Sequence, residues 1–224
     1  MGLLARLFLS HPAWDAVRER FMAQFPQLDR YAMDSLTSLT SLPSLIKDIK
    51  QKTICGPNPS PSFNLLLNRA HLFKAKTSQH SFKLHLDFMN GSVVSEAPIL
   101  TSEYMSTILQ FGSRDLTLRY NFYRANTIIA NRILVRLGNP DESLVYEYLE
   151  ASENIFKSLE YLLSLKPLGA LWLTFAIAAA YGVSSVERRE QIAMMMKGAF
   201  DPMPISSGPR AMDMAFGEFI GGLM

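Results

Sequence analysis

The chain has 224 residues, 48% of them hydrophobic, which is enough for one domain with a sizeable core. A net charge of +2 is too small for the basic field that marks a nucleic-acid reader. The single cysteine, Cys55, excludes an internal disulfide and any cysteine-rich zinc site, and agrees with a reducing compartment.

The opening MGLLARLFLSHPAW holds a short apolar run interrupted by Arg6, which does not make a signal peptide. Gly2 would suit myristoylation, but position 6 is Arg rather than Ser or Thr. The sequence reads as an intracellular chain without a secretory address. Residues 10–25 predict a short helix around Trp14, Val17, Phe21 and Phe25. Leu36, Leu39, Leu42, Leu45, Ile46 and Ile49 then recur at helical spacing, with Pro43 breaking or restarting the run. TICGPNPSPS, residues 53–62, reads as a loop, and Phe63–Lys76 returns to a helical pattern. Phe82, Leu84, Leu86 and Phe88 alternate with polar residues ahead of Asn90-Gly91. This is either a small hairpin near 82–94 or a helix with a wet face.

The second half reads as helical throughout. Leu118, Phe122, Ala125, Ile129, Ile133 and Leu137 form one stripe, and Gly138 with Asn139-Pro140 is placed to end that helix. Asp141 is the expected N-cap of the next helix, with Glu142 in its first turn. Leu144, Tyr148, Ala151, Ile155, Leu159 and Leu162 make its buried face, and Glu147, Glu150 and Glu153 a solvated one. Pro167 to Val186 is twenty residues without a charge. A membrane span needs about 20 predominantly apolar residues. This segment includes Pro167, Gly169, Thr174, Gly182, Ser184 and Ser185, so Leu168–Gly182 reads as a buried core helix. A final helix follows over Ser185–Phe200. The expected architecture is all-α, a bundle or array of antiparallel helices in one domain over 1–200. A flexible Met/Gly/Pro-rich tail, 201–224, follows. Met194-Met195-Met196, Met203, Met212, Met214 and Met224 suggest adaptable packing, onto the domain's own core or onto a partner.

Motifs of chemistry are missing. There is no Asp-Asp-x-x-Asp, no Gly-x-Ser-x-Gly elbow and no phosphate-binding glycine loop. Asn154 and Ser158 begin an Asn-x-x-x-Ser-x-x-x-Glu metal pattern, but position 162 is Leu. His80 and His85 are five apart, which suits neither a helix face nor one face of a strand. No catalytic, cofactor-binding or metal-ligating residue is identified, and the chain does not read as an enzyme.

Several segments in order resemble one family. Asn154-Ile155-Phe156-Lys157-Ser158-Leu159-Glu160-Tyr161-Leu162 is similar to an Ile-x-x-Ser-x-Glu-Tyr helix. Leu168-Gly169 follows as a glycine turn, Leu173–Tyr181 as an apolar helix ending in Ala-Tyr, and Glu187-Arg188-Arg189 as a charged helix. His11-Pro12-Ala13-Trp14 and Leu42-Pro43-Ser44-Leu45-Ile46 before Asp48 agree more loosely. Across about residues 10–200 these pieces resemble the helical regulatory domain of fungal zinc-cluster transcription factors. The resemblance implies a nuclear regulator of metabolic or secondary-metabolite genes, working through protein partners or self-association and leaving room for a small-molecule effector. The six-cysteine cluster with which that family reads DNA has no counterpart here, so no DNA-contacting residue carries over. The chain is then a stand-alone relative, or part of a longer factor. A different expectation is an accessory protein or enzyme of a biosynthetic pathway, with Phe122, Trp172, Phe175 and Tyr181 lining an apolar pocket. A third is membrane association through Leu168–Val183.

Overall fold

A computed structural model of the chain describes residues 42, 44–49, 51, 61–89, 94–98, 107–164 and 168–200. The segment expected around Trp14, the breaker Pro43, Cys55 in its loop and the tail 201–224 lie outside the described residues. The chain forms two compact units, Met1–Lys76 and Thr77–Met224.

In the first unit, helical residues 44–49 bury Leu45 and Ile49, and Leu42 is buried just ahead of them. The helix α1 (Pro61–Met89) contributes buried Leu66, Ala70 and Phe73 to the same unit. Arg69 bonds the Asp48 carboxylate and donates to Ser44 Oγ at 2.9 Å, which ties α1 to residues 44–49. Pro61 and Ser62, expected in the loop, are the first residues of α1. Proline suits that place because its φ is preset for a helix and its missing N–H would have no intrahelical partner anyway. The alternation over Phe82–Phe88 does not make a strand, since α1 runs on to Met89. After Pro61 nothing in that stretch breaks a helix, and Asn90-Gly91 stands where a stop is needed.

The strands lie later. Strand β1 (Val94–Pro98) pairs antiparallel with β2 (Thr107–Phe111), with Val94 opposite Phe111 and Pro98 opposite Thr107. This ribbon is the one sheet among the described residues, and the fold is all-α around it. Leu109 and Phe111 of β2 join Leu116, Tyr120 and Tyr123 in an apolar cluster. The Phe111 ring meets Tyr120 at 5.3 Å and Tyr161 at 5.6 Å.

Four helices follow: α2 (Arg114–Arg136), α3 (Ser143–Ser164), α4 (Leu168–Tyr181) and α5 (Val186–Phe200). Helix α2 starts at the N-cap Ser113, whose Oγ accepts from Leu116 N. It ends in a Schellman turn: Gly138 N donates to Val135 O, and Asn139 N to Leu134 O. Gly138 takes φ +80°, a conformation that suits glycine. Asn139 Oδ1 then accepts from Asp141 N, and Asp141 Oδ1 from Ser143 N, so two side chains steer the turn. Asp141 accordingly guides the entry of α3 from two residues ahead, and Glu142 stands just before the first turn.

This short turn sets α2 and α3 antiparallel. Asn131 meets Glu147 near the turn, while Tyr120 and Tyr161 share the Phe111 ring at the far end. Helix α4 runs parallel to α2, with Phe122 against Phe175 and Arg132 on Gly182. Helices α2, α3 and α4 all pack on one another, and α5 joins through α4. The expected α2 stripe is buried or half-buried, but burial goes beyond it. Tyr120, Asn121, Tyr123, Asn126, Ile128, Ala130, Asn131 and Leu134 are also buried, because β2, α3 and α4 cover α2 on several sides. Small buried residues, Ala125, Ala130, Ala151, Ala176, Ala178, Ala179 and Ala180, let the backbones approach closely.

Two substitutions test this packing. Ile133→Ala removes a fully buried side chain between helices, and urea denaturation should show a loss of about 2–5 kcal/mol. Gly138→Ala meets no atom within 4 Å, so its loss should be the backbone strain alone, about 1 kcal/mol.

Candidate functional site

Helix α4 is apolar and carries no basic residue in its last turn. Its final residues are deeply buried, from Ala176 through Tyr181. The last carbonyls of a helix have no intrahelical donor, and leaving them buried and unbonded is costly. Here the backbone N–H groups of Gly182, Val183 and Ser184 bond Ala178 O, Ala180 O and Tyr181 O, and side chains add further donors. Ser184 Oγ donates to Ala180 O at 2.7 Å, and Ser152 Oγ of α3 donates to the same oxygen at 3.3 Å. Arg189 Nε of α5 donates to Tyr181 O at 3.0 Å. Arg132 Nη1 of α2 donates to Gly182 O at 3.0 Å. Three helices thus converge on the end of a fourth.

The start of α5 is held by the same joint. Ser185 Oγ accepts from Arg188 N, as an N-cap should. The Glu187 carboxyl is held below its ordinary range by its own backbone N–H and by the Ser185 hydroxyl. The Arg188 guanidinium lies 3.9 Å from the centroid of the Phe156 ring, donates to both oxygens of Glu153 at 3.2 and 3.0 Å, and reaches Gln191 Oε1 at 2.9 Å. Arg189 stacks on Tyr181 at 5.4 Å. Burial holds the Arg132 guanidinium below its ordinary pKa. Arg136 and Arg189 lower it further, while Tyr148 raises it.

The residues singled out in the sequence fall as follows. Ser158 is buried and its hydroxyl donates to Asn154 O at 2.8 Å, one turn back. The half metal motif is therefore a local helix bond. Glu147, Glu150 and Glu153 all reach solvent, but two of them also bond other helices. Glu150 is exposed, while Glu147 and Glu153 are half-buried, since Asn131 Nδ2 donates to Glu147 at 2.8 Å and Arg188 takes Glu153. Both partners come from other helices, which helical spacing within α3 does not reveal. His71 is exposed, and His80 and His85 are helical residues of α1. Among the described residues, no three His, Cys, Asp or Glu come together to hold a metal ion. The Phe122 and Phe175 rings meet each other at 5.4 Å, and Tyr181 is buried beneath Arg189. The Trp172 side chain lies outside the described residues. No described helix is long and apolar enough to cross a membrane.

Chemically the joint offers fixed cations, carbonyls and hydroxyls. It brings together no nucleophile and base in the way acyl transfer needs. Sequence reasoning missed Arg132 and Ser152 here. The readable signal was an apolar helix without a basic residue in its last turn, whose carbonyls can take cationic donors from other helices.

A double-mutant cycle tests the Arg188 clamp. The two side chains are 27% and 46% exposed, so solvent screens the ion pair and its coupling should be about 0.5–1 kcal/mol. Arg188→Ala should cost about 1–2 kcal/mol in total, and part of that loss should persist in a Glu153→Ala background, because the guanidinium also covers Phe156.

No protein-family model matches this chain, and neither a curated protein nor a solved structure matches it.

Proposed function

We propose that the chain is a regulatory helical domain of the kind found in fungal zinc-cluster transcription factors. In this reading it acts in the nucleus on metabolic or secondary-metabolite genes. It works through protein partners, a second copy of itself or a small effector, and does not read DNA. One observation supports the reading: three of the segments that resemble the family contribute Phe156, Tyr181 and the pair Arg188-Arg189 to one joint. In the loosely similar N-terminal part, Asp48 is ion-paired to Arg69. Residues retained for scaffolding should pair with one another in this way, and the site does not assemble a reaction centre.

The surface of the second unit also suits contacts. Tyr146 is 72% exposed, and Leu149, Val186 and Met194 are exposed as well. Met194 is the one member of the methionine series that stands exposed among the described residues.

A fluorescent fusion and a deletion strain test the reading together. The fusion should concentrate in the nucleus, and the deletion should change the transcripts of a defined gene set while the pure protein turns over no pathway compound. Level transcripts with one accumulated intermediate would instead identify a pathway protein and sink the regulatory reading.

A further inference from the structure

Charge is divided unevenly along the chain. Between Ile49 and Leu86 the sequence holds six lysines and arginines and no acidic residue. Residues 141–195 hold eight acidic residues against four basic ones. The fold brings each excess to a surface that also carries unburied apolar side chains.

In the first unit that surface is on α1. Leu66, Ala70, Phe73 and Thr77 form its buried face, at the three- and four-residue spacing of a helix. Leu65 and Leu72 are each 62% exposed and stand two turns apart on one line. Exposed Lys76 extends that line by one turn.

In the second unit the surface runs along α3 and onto α5. Tyr146, Leu149, Glu150 and Glu153 recur at three- and four-residue spacing, so they share a face of α3. Arg188 holds the Glu153 carboxylate at 3.0 Å, which joins that face to the start of α5. Glu187 beside it is exposed, and Met194 follows two turns on, also exposed. Among the described residues from 141 to 195, every exposed residue that carries a charge is acidic: Asp141, Glu142, Glu150, Glu187 and Glu190. The cations Arg188 and Arg189 are half-buried and bond Glu153 and Tyr181 O.

Seven large apolar side chains are exposed among the described residues, and five of them lie on these two faces. Exposed apolar groups gathered among polar ones mark interaction surfaces. The two faces complement each other. Leu65 and Leu72 would leave water against Tyr146, Leu149 and Met194, while Lys76 and its basic neighbours would meet Glu150 and Glu187. Apolar contact gives such a pairing its affinity, and opposite charge gives it orientation and a faster encounter. Neither face suits a copy of itself, since like charge would then meet like.

We propose that each face is covered by the other face on a second copy of the chain. Helix α1 of one copy lies along α3 and α5 of the next, and the exchange is reciprocal. The dimer closes with two-fold symmetry and two equivalent contacts. This gives the regulatory reading its self-association surface, yet it rests on the two faces alone. A monomeric nuclear regulator would overturn the pairing and leave that reading standing.

Sedimentation velocity on the full chain tests it. The native protein should shift from monomer to dimer as its concentration rises, with a dissociation constant roughly tenfold higher in about 1 M salt than in about 0.1 M. Leu72→Glu and Leu149→Lys replace exposed side chains, so both should keep the far-ultraviolet circular dichroism of the native chain. Each variant alone should stay monomeric, because both of its contacts are altered. An equimolar mixture of the two should dimerise, because one of its contacts is native on both sides. A monomeric native chain, a native-like dimer from either variant, or a mixture that stays monomeric overturns the proposal. A monomeric native chain that pellets with phosphatidylserine vesicles would give the α1 face to a lipid surface instead.

Discussion

The second unit is organised around the need to bond the last carbonyls of α4. An apolar helix can be buried only if both of its ends are satisfied, and α4 brings no basic residue of its own to its C-terminal turn. The backbone N–H groups of Gly182, Val183 and Ser184 bond part of that turn, and the partner helices add side-chain donors. Ser152 on α3, Arg132 on α2 and Arg189 on α5 each reach it from a different direction. Because each bond has its own geometry, the set fixes the rotation and height of every helix against α4. Apolar contact provides the driving force for packing but is non-directional, so the carbonyl bonds supply the register.

The central helix shows a second constraint. Helix α2 is covered on several sides, yet it carries Thr117, Asn121, Asn126 and Asn131 in buried positions. Thr117 Oγ1 returns a bond to Ser113 O, and Asn121 Nδ2 to Thr117 O. Asn131 crosses to Glu147 instead. The Oδ1 atoms of Asn121, Asn126 and Asn131 have no hydrogen-bond partner in the protein. Buried polar groups of this kind lower stability while favouring one arrangement of neighbours over others. Charge works in the same direction, since α2 is rich in arginine and α3 in glutamate.

How much of this was legible in the sequence depended on the range of the signal. Local signals read well. Gly138-Asn139-Pro140 marked the stop of α2, the uncharged stretch after Pro167 marked a core helix of limited length, and the 3.6-residue stripes marked α2 and α3. Signals without a unique local meaning did not. Phe82 to Phe88 fits period two as well as a helix, and the absence of a breaker between Phe63 and Met89 proved decisive. Strand β1 contains Ser95, Glu96 and Pro98, so its pairing with β2 is tertiary in origin. The joint itself was invisible, because nothing in the spacing of Arg132 among Ile129 and Ile133 says that its head reaches a carbonyl fifty residues away. The partners of Glu147 and Glu153 were hidden for the same reason: a free row and a bonded row have the same spacing.

The turn between α2 and α3 has a consequence for how the molecule comes together. It closes over a handful of residues and is steered by Gly138, Asn139 and Asp141, so the two helices meet at small cost in chain entropy. The bond from Arg132 to Gly182 closes a far longer loop, and those from Arg188 and Arg189 must wait for α5. Helix α5 is held on the end of α4 by Arg189 and on α3 by Arg188, so loss of these few bonds would expose Tyr181 O while leaving the α2–α3 pair intact.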